Sequence, residues 1–230
     1  MEIITVFSTT QPPAEIEDQI AQLVFDNTTD LFLRGAIRKN LLFPAFQTAL
    51  ALEVGQYNAA IGKHPDRRVE LVVATDGENP ERVVGFLQYL PLIGADDACG
   101  VTYMVVRKEC RRQGIARAMI DAMLERFPHA ELSCFVDKVP VYEALGFQVV
   151  GLYETQVRLC TRSQSAQGVM ATLNTQQIFE SQPVADVMRR QFQTFGPREM
   201  KKAGKESNRL TDSLKQKANN FFKLWQRRSA

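Results

Sequence analysis

Residues 101–117, Val-Thr-Tyr-Met-Val-Val-Arg-Lys-Glu-Cys-Arg-Arg-Gln-Gly-Ile-Ala-Arg, run an apolar strand into a charged turn that opens a helix around Gly114. That order suits a phosphate-like anion. A helix start leaves backbone N–H groups without intrahelical partners and carries a partial positive charge. Gly114 lets an anion approach the main chain closely, Ala116 adds little bulk, and Arg111, Arg112 and Arg117 supply positive charge. The turn is not a P-loop, because no Gly-Lys-Ser/Thr follows it, and its single glycine is two short of a dinucleotide fingerprint. A solvated basic turn is the competing reading of the three arginines.

The spacing Arg-x-x-Gly-x-Ala, set directly after Tyr103-Met-Val-Val106, resembles the acetyl-CoA pyrophosphate loop of the GCN5-related N-acetyltransferases. Further along, Val141-Tyr142-Glu-Ala-Leu-Gly146-Phe147 is similar to the Tyr-x-x-x-Gly-Phe element that closes the core of that family. The resemblance covers roughly residues 1–162 and implies a mixed α/β fold in which two parallel strands splay apart. It implies acetyl-CoA as cofactor, its pantetheine arm lying between those strands on the main chain of Met104, Val105 and Val106. The pyrophosphate would take the amides from Arg112 through Gln113, Gly114 and Ile115 to Ala116, with Arg111 and Arg117 alongside. Tyr142 would protonate the departing thiolate. A phenol suits that role because it stays protonated at neutral pH; the competing reading is a tyrosine packed at a helix end.

The chain departs from the family in two places. Many members carry a glutamate on the strand that leads into the loop, whereas this strand offers Thr102 and Tyr103. Glu70, Asp96 and Asp97 remain as general-base candidates by rough position, each more readily read as a solvated charge at a strand end or loop. Asp137-Lys138 stands where an asparagine is often found. Cys110 has no histidine at a recognisable partner position and Cys134 lies in an apolar strand, so no activated nucleophile is visible and transfer is expected to be direct.

Composition is compatible with an enzyme. The 230 residues, 45% of them hydrophobic, can bury a substantial core. No apolar run reaches the length of a membrane span, and Met1-Glu-Ile-Ile-Thr-Val-Phe is not patterned as a signal peptide, so the cytoplasm is the expected compartment. Cysteines at 99, 110, 134 and 160 form no Cys-x-x-Cys pair, and His64 and His129 lie apart from them; neither a zinc site nor a disulfide framework is indicated.

Net charge is +2, but residues 197–230 hold ten basic side chains against three acidic ones, so that this stretch carries +7 and the rest of the chain −5. Leu210, Leu214, Phe221, Leu224 and Trp225 fall near one helical stripe within it. Docking on its own domain or a twin subunit, binding of a polyanion such as nucleic acid, and attachment to an anionic membrane surface are the three readings.

Periodicity predicts strands at 3–7, 69–75, 82–92, 100–106, 130–136, 147–151 and 155–161. Helices are expected after Pro12-Pro13 and at 41–60, 114–126 and 139–145. The segment 163–174 has linker composition. Helices at 176–195 and 199–228 follow, separated by Gly196-Pro197, giving an acetyltransferase-like domain over 1–162 and a basic helical extension over 175–230. The function expected is acetyl transfer from acetyl-CoA to a primary amine. A second class, an acyl-CoA-binding regulatory or adaptor module without turnover, shares the same cofactor residues.

Overall fold

In the computed structural model, which describes residues 2–229, seven strands form one sheet in the order β1-β2-β3-β4-β5-β7-β6. The strands are β1 Ile3–Phe7, β2 Glu70–Thr75, β3 Val83–Leu92, β4 Ala95–Val106, β5 His129–Cys134, β6 Gln148–Tyr153 and β7 Gln156–Cys160. Helices α1 Ala14–Leu31 and α2 Phe43–Ala60 lie between β1 and β2, α3 Ile115–Leu124 follows β4, and α4 Val139–Ala144 follows β5. The chain ends in α5 Thr175–Phe179 and α6 Gln182–Ser229.

Alternation along the central strands builds two cores from one sheet. On β2, Leu71 and Val73 pack with Ile20, Leu23, Leu50 and Val54 of α1 and α2. Their neighbours Val72 and Ala74 point the other way, to Ile115, Met119 and Met123 of α3. Every residue of β2 and β3 is buried, which is the continuous apolar pattern of strands covered on both faces. The hairpin expected from Asp76-Gly-Glu-Asn-Pro80 is present, with β2 antiparallel to β3.

β4 starts earlier than its sequence pattern suggests. Ile93-Gly94 turns the chain directly from β3 into Ala95, so that Asp96 and Asp97 lie inside a strand instead of a loop. Pairing of β3 with β4 shifts register between Gln88 opposite Tyr103 and Tyr89 opposite Val101, which leaves Thr102 as an extra, bulged residue. Its hydroxyl donates to the Gln88 carbonyl at 3.0 Å.

The expected +7 tail is helical but is not a separate body. Gly196 (φ 76, ψ 167) breaks α6 ahead of Pro197, as the Gly-Pro step predicts. Beyond the break, Phe221, Phe222 and Trp225 pack against the α3-side core, while Leu210 and Leu214 close over Gly35. Leu224 departs from the predicted stripe: it is 55% exposed, and Phe222 takes its place at the core.

Candidate active site

β4 and β5 are parallel neighbours over only three residue pairs, Ala98 with His129, Cys99 with Ala130 and Gly100 with Glu131. Past Gly100 the two strands part, and β5 turns to pair with β7 instead. The β5-facing edge of β4 from Val101 to Val106 therefore meets no strand. A cavity of about 1430 Å³ opens in this cleft. Its lining includes Val101 to Val106 on one side and Leu132 to Phe135 on the other.

One end of the cavity is the charged loop. Gly114 sits at φ 87, a left-handed conformation natural to glycine, and starts α3 at Ile115. The space in front of it is open, since a Cβ built there would meet nothing within 4 Å. Arg112 also has positive φ, 64°, a strained conformation for a residue with a side chain. Such alternation of left-handed residues at a helix start turns successive N–H groups towards one point, a concavity suited to an anion.

The arginines divide their work. Arg111 Nε donates to the Val106 carbonyl at 3.1 Å and its Nη2 to Asn27 Oδ1 at 2.8 Å, bracing the end of α1 against the loop. Arg117 donates to the Ala144 carbonyl at the end of α4. Both line the cavity, as do Arg112, Gly114, Ile115 and Ala116. Gln113 is the exception among the expected residues: its side chain turns back to the Glu109 carbonyl at 3.4 Å, leaving only its amide for a ligand. The Val106 carbonyl is likewise engaged, by Arg111 Nε.

Tyr142 reaches the cavity from α4, its ring edge-on to Phe147 at 6.0 Å. Burial, followed by the nearby Cys134 and Asp30, pushes its phenol well above the ordinary tyrosine value. It is held as a proton-bearing group. Cys134 lines the same stretch, and burial pushes its thiol up to about 12, far from a thiolate at neutral pH.

The base candidates taken from rough position do not lie here. Glu70 is buried in a bidentate ion pair with Arg126, at 2.7 and 3.1 Å, and accepts from the Tyr89 hydroxyl at 2.8 Å; it is a structural charge. Asp97 pairs with Arg162 at 2.6 Å and Asp96 is exposed, and neither lines the cavity. The carboxylates that do are Asp30 of α1, paired with Lys138 at 3.1 Å, and Glu53 of α2, and sequence reasoning missed both.

Glu53 accepts a hydrogen bond from the Tyr103 hydroxyl, and the bulge at Thr102 sets the register that carries Tyr103 to this face of the sheet. Burial raises the Glu53 carboxyl above the usual range, and the Tyr103 hydrogen bond partly offsets that rise. Tyr57, one turn along α2, is raised to about 12, chiefly by burial, and accepts the Leu173 N–H at 3.0 Å. A signal for Glu53 existed in the sequence. Leu42, Phe46, Leu50, Glu53 and Tyr57 follow one helical stripe, and a glutamate on an otherwise apolar stripe is the anomaly to notice.

These elements define a class of protein: a splayed parallel strand pair with an anion loop at one end and a phenol at the other. Residues 67–149 match the family model described as "Acetyltransferase (GNAT) domain", which places that stretch in the GCN5-related N-acetyltransferase superfamily. Solved structures share the fold. The PaiA N-acetyltransferase from Thermoplasma acidophilum, in complex with coenzyme A, is 9% identical and aligns over 70% of this chain and 99% of its own, with TM-score 0.54. An aminoglycoside 6'-acetyltransferase type Ii is 18% identical over 71% of this chain and 99% of its own, with TM-score 0.50. No curated protein matches the chain.

Proposed function

We propose that the protein transfers an acetyl group directly from acetyl-CoA to a primary amine, with Glu53 accepting the amine's proton and Tyr142 supplying a proton to the thiolate. The observation that carries this reading is one continuous cavity joining the Gly114 loop, the unpaired edge of β4, Tyr142 and Glu53. The site fits the cofactor: the loop offers convergent amides and the cleft a strand edge for an amide-bearing arm.

Acetyl-CoA supplies an activated thioester. Within the chain, Glu53 removes the proton that an ammonium must lose before its nitrogen can attack, with Tyr103 holding the carboxylate in place. As nitrogen bonds to the carbonyl carbon and the carbon–sulfur bond breaks, Tyr142 would pass its proton to sulfur and regain, by way of solvent, the second proton that the nitrogen sheds, while Glu53 releases the first to bulk water. The raised Cys134 thiol supports transfer without an acyl-enzyme.

Thiol release from acetyl-CoA in the presence of a panel of amines tests the proposal against the adaptor alternative. Amine-dependent release that saturates with acetyl-CoA is expected. Tight acetyl-CoA binding with no release for any amine would instead support a non-catalytic acyl-CoA-binding module.

A further inference from the structure

The cavity extends past Glu53 into a part of the molecule that lies outside the residues 67–149 of the family match: Met170, Leu173, Phe179, Ser207 and Thr211 line it. We infer that this C-terminal extension forms one wall of the acceptor site, and that the acceptor is a small molecule bearing one primary amine on an apolar body. The inference rests on the transferase reading above and names its substrate class.

The wall is fixed in place by polar contacts from several directions. The Leu173 N–H donates to Tyr57 at 3.0 Å, Asn40 Nδ2 to the Ala203 carbonyl at 3.0 Å, and the Thr211 hydroxyl to the Arg34 carbonyl at 3.0 Å. Met170 seats against Gly100, where β4 and β5 part, and a Cβ at that glycine would collide with its sulfur. The extension thus meets the cleft at its fork.

The chemistry of this end is aromatic. Phe32 and Phe46 stack at 4.5 Å between centroids, and Phe179 of α5 stands edge-on to both at 6.1 and 6.4 Å. All three line the cavity, and Phe179 remains 39% exposed, so that its ring is accessible to a ligand there. Negative charge is scarce. The carboxylates lining the cavity are Asp30 and Glu53, and Asp30 is paired with Lys138 at 3.1 Å. That leaves one carboxylate for one ammonium. A polyamine or an aminoglycoside carries several cations, each of which would lose hydration without a matching anion. A monoamine with an apolar body satisfies both features at once, through Glu53 and through ring contacts.

Calorimetric titration of the full-length protein with 2-phenylethylamine, spermidine and a lysine-containing peptide, with and without CoA, tests this. Binding of 2-phenylethylamine should be about tenfold or more tighter than that of the other two, and Phe179→Ala should weaken it about tenfold, the loss expected for one ring contact. The acetyl-CoA affinity of that variant should stay within about twofold, because the cofactor loop lies apart from Phe179. Tighter binding of spermidine or the peptide, or an unchanged affinity in Phe179→Ala, would overturn the inference. Failure to bind acetyl-CoA would instead sink the transferase reading, since the amine titrations are read without it.

Discussion

At the scale of single residues, burial raises the proton affinity of both ionisable side chains given roles in the proposed reaction. Tyr142 keeps its proton because burial penalises the phenolate. Tyr142→Phe removes only the hydroxyl, so acetyl-CoA affinity should hold while turnover falls by about a hundred- to ten-thousandfold, the range for lost acid catalysis. Unchanged turnover would make Tyr142 a packing residue. Burial raises the Glu53 carboxyl in the same way, so the acid limb of the turnover profile should lie above the ordinary glutamate value of about 4.3, and Glu53→Gln should erase that limb. Stability should move oppositely. A folded-state value raised above the unfolded one gives stability that is present at low pH and lost as pH rises through the folded value. Glu53→Gln should therefore melt higher than the wild type at pH 8, with the gap closing towards pH 4.

At the scale of elements, the proposed cofactor end depends on a strand whose β5-facing edge is left unpaired and on a helix that begins at a left-handed glycine. Gly114→Glu would force a side chain into φ 87 and point a carboxylate at the anion site. Acetyl-CoA binding should be lost in calorimetry with the circular dichroism unchanged; wild-type affinity would refute the loop assignment. Gly100→Val tests the fork. Its side chain would displace Met170 and shift the extension's wall, so the Michaelis constant for the amine should rise more than that for acetyl-CoA. Equal effects on both would indicate that the fork itself has been distorted.

The whole molecule is held together by its tail as much as by its sheet. Phe221, Phe222 and Trp225 cover the α3-side core, and Lys217 reaches Asp137 at 2.5 Å beside α4. Phe221→Ala with Trp225→Ala should lower the melting temperature, each contact contributing at most about 3 kcal/mol as a partly buried aromatic. A melting temperature equal to the wild type would show that the tail's contacts add nothing to the fold. Docking uses the apolar stripe of the tail, while Lys201, Lys202, Lys205, Arg209, Lys215, Lys223, Arg227 and Arg228 stay exposed on its outer face.

What the sequence determined by itself was whatever local pattern encodes. Period-two and period-3.6 hydrophobicity specify the strand and helix order, Asp76-Gly and Gly196-Pro197 specify breaks, and the Arg-x-x-Gly-x-Ala and Tyr-x-x-x-Gly-Phe spacings point to the family. The loop from Arg111 to Arg117 and Tyr142 could be proposed from the sequence because each sits within a short local motif. Glu53 was not, since its partner Tyr103 lies fifty residues away on another element and a bulge at Thr102 sets the register that aligns them. Nor could sequence proximity separate Glu70, which looked available and is consumed by Arg126, from a carboxylate facing the cavity. The extension carries the same lesson: its composition permitted docking, polyanion binding or membrane attachment alike. Packing against Gly35, Gly100 and the α3-side core is a sum of long-range contacts, and only the tertiary structure brings those surfaces within van der Waals reach.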